Sequence, residues 1–400
     1  MNKKKITIIL MVFLAIFLTI MLVVNKDNVE ITNEVGNKSK KSNNLLTMNL
    51  EQTAGAGDYK TVTQSEWPTE GYKFNTELSR CENGSELSWD DVNKKILMSG
   101  VSADKCYVYF DIARFDKLCN TSTLACHVAK LYTGTQGENG IYYHNTSLTN
   151  GAGDNNYRYA GANPNNYICL GSDATTCPDD NLFRIIGVFG DKVKVIKDKS
   201  VVKMHWDTRD NNTWSISSLN TYLNGTYLTS IGTLSDKIDM ATWKVGGNTW
   251  DNISVSTAKE VYDYEIKNPS TTASTGETEY SAKIGLMYVS DYMFAVLQDN
   301  WTLVAYNSND ATKDYRAVKA ENWLYLGSDE YTITRSSKYS GEVFAIYSSG
   351  EVYSYSVSCN SDEPLPCSVY AKYARPSFYL ISSVEYSGGT GTSSDPIRIN

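Results

Sequence analysis

The sequence predicts an α+β fold that is mostly β, with an N-terminal transmembrane helix, a small disulfide-tied β module and a larger C-terminal domain. Three observations carry this prediction. Tyrosine is frequent, with 29 in 400 residues, and tyrosine favours the pleated surface of a sheet. Short apolar runs are separated by Asn-Gly, Ser-Gly and Gly-Asp turn signals, as in antiparallel sheets. Strands and helices do not alternate regularly, which argues against a doubly wound parallel sheet.

The first element is an apolar segment close to the N-terminus. Lys3, Lys4 and Lys5 precede residues 6–24, which carry no charge. As a helix this run spans about 28 Å, close to the roughly 30 Å hydrocarbon layer of a bilayer. Because positive residues stay cytoplasmic, we predict a single-pass signal-anchor, with residues 1–5 in the cytoplasm and the bulk of the chain outside the cell. The membrane is therefore a predicted partner through residues 6–24.

A cleaved signal peptide is the alternative for this segment. Such a peptide has an apolar stretch of about 7–15 residues and then an Ala-x-Ala site. Here the run is longer, and it is followed by Asn25, Lys26 and Asp27 without such a site. Residues 25–58 are polar, and we predict a flexible stalk there.

Residues 59–112 predict a small β module. Apolar runs at 71–74, 87–89, 95–98 and 106–110 alternate with Asn-Gly at 83–84 and Ser-Gly at 99–100, the pattern of short antiparallel strands. Residues 113–154 are predicted as a connector. It contains one short helix from Leu124 to Tyr132, with Thr121 and Ser122 as candidate caps, and then a glycine-rich loop.

Residues 155–400 are predicted to form the main domain. Runs at 182–189 and 192–197 flank Gly-Asp, which predicts a two-residue hairpin. Lysines in the second run give that strand an expected solvent face. Helices are predicted at 217–223, ending at Asn224-Gly225, and after a capping box formed by Thr257 and Glu260. Further strands are predicted at 284–289, 323–326, 342–348, 351–357 and 377–381.

The cysteines agree with export. An even number in an exported chain suggests disulfides, and none of the eight lies in the anchor. Zinc and dithiol redox sites favour Cys-x-x-Cys spacing, which does not occur. A catalytic Cys126 beside His127 is a weaker alternative, because residues adjacent in sequence rarely pair as nucleophile and base. Eight cysteines allow 105 pairings, and neighbour pairing is the simplest: Cys81 with Cys106, Cys119 with Cys126, Cys169 with Cys177 and Cys359 with Cys367.

Four stretches of the main domain resemble a known but uncharacterised family. They are Asn-Leu-Phe-Arg-Ile-Ile-Gly-Val-Phe at 181–189, Trp-Ser-Ile-Ser-Ser-Leu-Asn-Thr-Tyr-Leu-Asn at 214–224, Trp-Leu-Tyr-Leu-Gly at 323–327 and Arg-Pro-Ser-Phe-Tyr-Leu at 375–380. Their order is similar to a domain of unknown function in Gram-positive surface proteins. The resemblance implies a distantly C-type-lectin-like or formylglycine-generating-enzyme-like fold over residues 155–400. The chain departs from the pattern at Asn220, Tyr222 and Tyr325, where the family carries Arg, Trp and Arg.

No catalytic constellation is evident, and no catalytic, cofactor-binding or metal residue is assigned. The histidines, His127, His144 and His205, are far apart in sequence and form no metalloprotease or nucleophile-elbow motif. The polar cluster at Asp329 and Glu330, beside Tyr331 and Arg335, is interpreted as a solvated turn, although two carboxylates are all that a glycosidase needs. The tryptophans are interpreted as core residues rather than a sugar platform.

No cofactor is predicted, and calcium is the one alternative. Asp207, Asp210, Asn211 and Asn212 form an oxygen-rich loop of the type that suits Ca²⁺, without the EF-hand spacing. We interpret this loop as a polar turn. The run Gly-Gly-Thr-Gly at 388–391 lacks the lysine of a phosphate loop and is interpreted as a turn as well.

Charge excludes nucleic acid as a partner. Lys and Arg number 37 against 45 Asp and Glu, so the net charge is −8 and the pI about 5.1, whereas nucleic-acid binders carry a basic face. The leading hypothesis is a non-enzymatic binding or adhesion protein of the cell surface, for an envelope glycan or a protein partner. The alternatives are an extracellular enzyme, either a carbohydrate-active hydrolase or a formylglycine-generating-type oxidase, and a structural spacer.

Overall fold

The computed structural model describes residues 29–31, 45–52, 56–63, 67–68, 72–90, 93, 95–100, 103–119, 122–269, 277–357 and 371–399. The chain divides into two compact units, Met1–Leu118 and Cys119–Asn400. Within the described part of the chain, every helix is too short or too polar to cross a membrane. The predicted membrane helix at 6–24 lies outside the described residues.

Unit 1 contains two sheets and a short helix, Phe115–Leu118. The strands are β1 (Val29–Ile31), β2 (Leu45–Glu51), β3 (Tyr59–Val62), β4 (Tyr72–Phe74), β5 (Arg80–Cys81), β6 (Glu86–Asp90), β7 (Lys95–Ser99) and β8 (Lys105–Ile112). A five-stranded sheet has the order β3-β2-β8-β4, with β5 also on β8, and a three-stranded sheet has the order β1-β7-β6.

Alternate residues of the strands of unit 1 point inward and form its core. In β8 the buried positions are Cys106, Val108 and Phe110, spaced by two, because successive side chains of a strand point to opposite faces. Val108 and Phe110 pack in one cluster with Met48 and Leu50 of β2. The sequence runs predicted for this module therefore form the strands expected of them.

The first part of unit 1 differs from the prediction. Leu45–Glu51 falls inside the segment predicted to be a flexible stalk, yet it forms strand β2 and pairs in parallel with β8. Its last four residues are buried. The polar composition of residues 25–58 hid this strand. Its Leu-Leu-Thr-Met-Asn-Leu sequence alternates apolar and polar residues only in the second half, which is a weak strand signal. The sheet of unit 1 thus starts before residue 59.

Unit 2 is built around a seven-stranded and a five-stranded sheet, with orders β17-β22-β13-β12-β10-β9 (β11 also pairs with β12) and β14-β21-β18-β19-β20. Two two-stranded antiparallel sheets, β15 with β16 and β23 with β24, complete it. The strands are β9 (Ile141–Tyr143), β10 (Tyr157–Tyr159), β11 (Tyr167–Cys169), β12 (Leu182–Phe189), β13 (Lys192–Lys197), β14 (Val202–Met204), β15 (Ala241–Lys244), β16 (Glu279–Ala282), β17 (Ile284–Gly285), β18 (Glu330–Arg335), β19 (Glu342–Ile346), β20 (Val352–Ser356), β21 (Lys372–Ala374), β22 (Ser377–Tyr379), β23 (Tyr386–Gly388) and β24 (Arg398–Ile399).

The helices of unit 2 are short. They span Leu124–Lys130, Ser218–Tyr222, Leu228–Ser230, Trp250–Val255, Ala258–Tyr262 and Val289–Phe294. Wider π-turns extend two of them, at Leu223–Tyr227 and Asp263–Lys267. Helix Leu124–Lys130 and strand β9 lie within residues 113–154, so the part of that segment from Cys119 onward belongs to unit 2 rather than to a connector.

Several predicted elements of unit 2 are confirmed. The hairpin of β12 and β13 turns at Gly190-Asp191, and β19 and β20 pair around Ser349-Gly350. The capping box of Thr257 and Glu260 starts a helix. A mostly β fold with few helices is therefore correct.

One predicted strand is shorter than expected and another is wrong. The segment 284–289 continues only as far as Gly285 as a strand, because Tyr288 and Asp291 form a capping box that starts helix Val289–Phe294. Residues 323–326 form a turn, since the Asn322 side chain accepts from the backbone N–H of Leu324 at 2.9 Å. The helix predicted to stop at Asn224 runs on instead, and the Asn224 amide pairs with the backbone of Ile284.

Candidate binding site

A shallow cleft lies on the surface of unit 2. Its volume is about 280 Å³. Gly140, in the first of its two lining segments, has φ +70°, and a Cβ there would lie 2.9 Å from Cβ of Pro164 in the second. Glycine therefore permits the close approach that shapes the cleft. The lining residues are Asn139, Gly140, Ala160, Gly161, Ala162, Asn163, Pro164 and Asn165.

The lining of the cleft is neutral. None of its eight residues has an ionisable side chain, and three of them are exposed asparagines. Each asparagine amide offers two N–H donors and a carbonyl acceptor. The cleft can therefore hydrogen-bond an uncharged polar ligand, and its lining supplies no general acid, general base or carboxylate ligand for a metal.

Backbone contacts fix the position of the lining segment that follows β10. The N–H of Gly161 donates to the carbonyl of Ala295 at 2.9 Å, and the N–H of Trp323 donates to the carbonyl of Gly161 at 3.2 Å. The indole N–H of Trp323 also donates to the carbonyl of Tyr159 at 3.0 Å. The cleft is thus held by the core and does not depend on a bound ligand for its form.

Arg184 positions the asparagine side of the cleft. Its Nη2 donates to Oδ1 of Asn163 at 3.4 Å, and its Nη1 donates to the Tyr167 hydroxyl at 3.1 Å. The guanidinium lies 3.8 Å from the ring centroid of Tyr167 and 4.9 Å from that of Trp323. Burial lowers the pKa of Arg184 to about 10, so this side chain stays cationic at neutral pH.

A buried charged cluster occupies the core of unit 2. Arg158 donates twice to Asp154, at 2.9 and 2.5 Å, and the Tyr262 hydroxyl donates to the same carboxylate at 2.9 Å. Burial lowers the pKa of His144 well below its usual value, and the positive charge of Arg158 lowers it further. His144 is therefore a neutral core residue, whose Nδ1 accepts from the N–H of Ala152 at 3.1 Å.

Two further carboxylates of the core accept hydrogen bonds from neighbouring buried groups. Glu265 accepts from the N–H groups of Val289 and Ser290, both at 3.0 Å, and from the hydroxyl of Thr334 at 2.6 Å. Burial raises the pKa of Glu265 to about 7. Asp291 accepts from Nζ of Lys194. Both carboxylates are almost completely buried, so a glycan could not reach them.

The other two histidines lie in different environments. His127 stacks on Tyr386 at 3.5 Å between ring centroids, and burial lowers its pKa. His205 is half-buried beside Trp206 in sequence. Among the described residues, the one grouping with metal-like spacing is Cys81, Asp104 and Cys106, and its two cysteines form a disulfide.

The loop considered for calcium is tied into the fold. Asp207 accepts from Arg209 at 2.9 Å and from the N–H of Ser218 at 3.1 Å. The Asn212 amide donates to three backbone carbonyls of the segment from Ser336 to Glu342. These contacts give Asp207 and Asn212 structural roles in joining that loop to the five-stranded sheet.

The polar cluster at 329–335 is not a solvated turn. Glu330 to Arg335 form β18, and all six residues are buried. Glu330 accepts from Nε of Arg375 at 2.6 Å, and Asp329 pairs with Lys372 at 2.8 Å. The sequence did not reveal these partners, because both lie more than forty residues further along the chain.

The tryptophans of unit 2 whose side chains the structure describes are core residues, as predicted. Those with described side chains are nearly inaccessible to solvent: Trp206, Trp214, Trp243, Trp301 and Trp323. Several partly exposed tyrosines of unit 2 lie next to one another. Tyr306, Tyr353, Tyr347 and Tyr355 form a continuous row, with successive ring centroids 5.0, 5.9 and 5.9 Å apart. We call this row the tyrosine surface; the alternation of Tyr353 and Tyr355 in β20 was its signal in the sequence.

Three of the four predicted disulfides are present. Cys81 bonds to Cys106, Cys119 to Cys126 and Cys169 to Cys177, and no cysteine of the described residues is free. Cys359 and Cys367 lie outside the described residues. The neighbour-pairing scheme is therefore confirmed as far as the structure describes it.

No family model, no curated protein and no solved structure matches the chain. The resemblance of residues 155–400 to a Gram-positive surface domain, with its C-type-lectin-like fold, therefore stays a prediction.

Proposed function

We propose that the chain is a membrane-anchored surface protein whose second unit binds a neutral glycan in the cleft at residues 139–140 and 160–165. The observation that carries this proposal is the uncharged, asparagine-rich lining. A few fixed polar groups in a concave site give orientation and specificity to a ligand. Hydroxyl groups of a sugar match amide donors and acceptors, whereas an anionic or cationic ligand would find no counter-charge in this lining.

The disulfides support the extracellular location. Disulfides persist in oxidising compartments and are rare in the cytosol, and this chain has three among its described residues. The apolar run at 6–24 after three lysines supports attachment to the cell membrane with the bulk of the chain outside. Both units then face the envelope.

The enzyme alternatives find less support. A hydrolase of glycosides needs two carboxyl groups that flank the substrate, and the cleft lining contains none. An oxidase of the formylglycine-generating type needs free cysteines, and the described cysteines are all paired. A pure spacer needs no concave site. The experiment below distinguishes a glycan ligand from a protein partner.

The test is glycan binding by the purified full-length chain in detergent. We expect binding to neutral cell-envelope polysaccharides on an array, and an affinity at least tenfold lower after Ala162→Trp, which fills the cleft from an exposed position. Ala174→Trp is the matched control, because Ala174 is also exposed and does not line the cleft.

The outcomes distinguish the alternatives. Equal affinity of both variants, or no glycan bound above background, would overturn the proposal. Loss of binding in Tyr353→Ala with no effect of Ala162→Trp would move the site to the tyrosine surface and equally overturn the cleft. Protease treatment of intact cells tests the location, because an extracellular chain is digested while the membrane stays closed.

A further inference from the structure

We propose that unit 2 contains an intramolecular amide cross-link between Nζ of Lys194 and Cγ of Asp291. Lys194 lies in β13 and Asp291 in helix Val289–Phe294, 97 positions apart in the sequence. Their side chains meet in the core, with Nζ 2.5 Å from Oδ2. An amine and a carboxyl group held in contact are the two reactants of an amide bond.

The pair is enclosed. The side chain of Lys194 is 1% exposed and that of Asp291 5% exposed. Four aromatic rings surround the amine, with centroids 4.4, 5.4, 5.6 and 5.8 Å from Nζ, and they belong to Tyr288, Trp243, Tyr379 and Phe189. This environment excludes water. Water stabilises the separated ions and is also the product of condensation, so its exclusion favours the amide on both counts.

Burial of the pair favours the neutral amine over the ammonium form. Burial lowers the pKa of Lys194, and the positive charge of Arg158 lowers it further, while Asp291 and Glu265 oppose that shift. A deprotonated amine is the nucleophilic form. An ion pair in this setting pays a desolvation cost that can exceed its Coulomb attraction, and an amide carries no charge to desolvate.

The carboxyl group is held for attack. Oδ2 of Asp291 accepts from the backbone N–H of Tyr288 at 2.8 Å within the capping box. Glu265 binds the neighbouring N–H groups of Val289 and Ser290 and so fixes the start of the same helix. Reactive groups fixed at contact distance gain effective molarities of about 10⁵–10⁸ M over free reactants.

The reaction balances without any co-reactant. The ammonium of Lys194 first transfers one proton to Oδ2 of Asp291, which leaves a neutral amine and a neutral carboxylic acid. The lone pair of Nζ attacks Cγ, a second proton passes from nitrogen to the departing oxygen, and the Cγ–Oδ2 bond breaks. The products are one amide bond and one water molecule, and nothing is oxidised or reduced.

Other ion pairs of the described residues lack one of these conditions. Arg158 with Asp154 and Arg375 with Glu330 are also largely buried, but a guanidinium stays protonated and is a poor nucleophile. Lys372 is buried, yet its partner Asp329 is 30% exposed. Among the described pairs, Lys194 with Asp291 alone combines a primary amine, a carboxyl group and burial on both sides.

Mass spectrometry of the full-length protein tests the proposal. After reduction, alkylation, denaturation and trypsin, a cross-linked chain gives one species that joins peptides 193–197 and 284–313 and is one water molecule lighter than their sum. Trypsin cannot cut after an acylated Lys194, so the missed cleavage inside 193–197 is a second sign. We expect this species to hold most of the Lys194 signal.

Two variants serve as controls. Lys194→Arg removes the amine while keeping a positive charge, and we expect the joined species to vanish. Lys192→Arg changes a lysine of the same strand that pairs with Asp239 nearer the surface, and we expect the joined species to remain. Recovery of peptide 284–313 free from wild-type protein, with trypsin cleavage after Lys194, would overturn the proposal whatever the variants do. This result is independent of glycan binding by the cleft.

Discussion

The buried pair of Arg375 and Glu330 gives a stability prediction whose size and pH dependence both follow from the structure. Arg375 is 1% and Glu330 2% exposed at the side chain. Arg375→Met would remove the bond from Nε to Glu330 and the bond from Nη2 to the carbonyl of Leu324, each 2.6 Å long. Glu330 would then lose its buried cation.

The magnitude comes from protonation. Burial raises the pKa of Glu330, and Arg375 opposes that effect, so its removal drives the carboxyl group to the neutral form. Holding a carboxyl of unfolded pKa about 4.3 protonated at pH 7 costs about 4 kcal/mol, at 1.36 kcal/mol per pH unit. The carbonyl of Leu324 left without its donor adds about 1 kcal/mol. Because the raised pKa of Glu330 already costs the wild type part of this energy, we expect a loss of at most about 5 kcal/mol in unfolding free energy at pH 7.

The sign of the pH dependence is fixed by linkage. In the variant the folded chain keeps a proton that the unfolded chain releases above about pH 4.3, so stability falls as pH rises. At pH 5 the protonation cost shrinks to about 1 kcal/mol, and the total loss to about 2 kcal/mol. The wild type has the same direction with a smaller slope, because Arg375 opposes the rise in the pKa of Glu330.

The assay is urea unfolding at pH 5 and pH 7, followed by tryptophan fluorescence. Buried tryptophans such as Trp206 and Trp243 report on unit 2. The double variant Arg375→Met with Glu330→Gln is expected to lose the pH dependence, and Lys199→Met, which breaks an exposed pair with Asp179, is expected to change nothing measurable. An equal loss at both pH values in Arg375→Met would refute the reasoning.

Three further predictions concern stability. Replacing Cys81 and Cys106 by serine opens a bridge across 25 positions and is expected to cost unit 1 roughly 3 kcal/mol, measured by the fluorescence of Trp67 and Trp89; an unchanged midpoint would contradict it. Gly187→Ala places a Cβ 2.0 Å from the carbonyl oxygen of Tyr157 and should cost about 1–3 kcal/mol in thermal unfolding, while Gly225→Ala, with open space around it, should be neutral or slightly stabilising. Glu265, with its pKa raised to about 7, weakens the folded state as pH rises from about 4.3 toward 7, so Glu265→Gln should flatten the stability profile between pH 5 and pH 8, and a parallel shift of that profile would argue against it.

The sequence predicted local elements well where the signal was local. The hairpin of β12 and β13 needs only two apolar runs and Gly-Asp between them. The helix after Thr257 needs only its capping box. In both cases the deciding residues lie within a few positions of one another, so pattern alone was sufficient.

Contacts between residues far apart in the sequence could not be predicted from local patterns. Lys194 was expected on a solvent face, because lysine alternates with apolar residues in β13, yet it is buried against Asp291. Strand β2 was missed, since its partner β8 begins sixty positions later. The cleft could not be predicted either, because it forms where the turn at Asn139 meets the loop after β10, and neutral residues in loops carry no motif.

The parallel pairing of β2 with β8 has a mechanical consequence. The chain enters this ladder at Leu45 and leaves it at the end of β8, and six residue pairs from Leu45–Lys105 to Leu50–Phe110 join the two strands. A pulling force applied to the chain before β2 and after β8 would act parallel to the two strands and in opposite directions on them. All six residue pairs would then be loaded together in shear, rather than separating one after another from one end of the ladder.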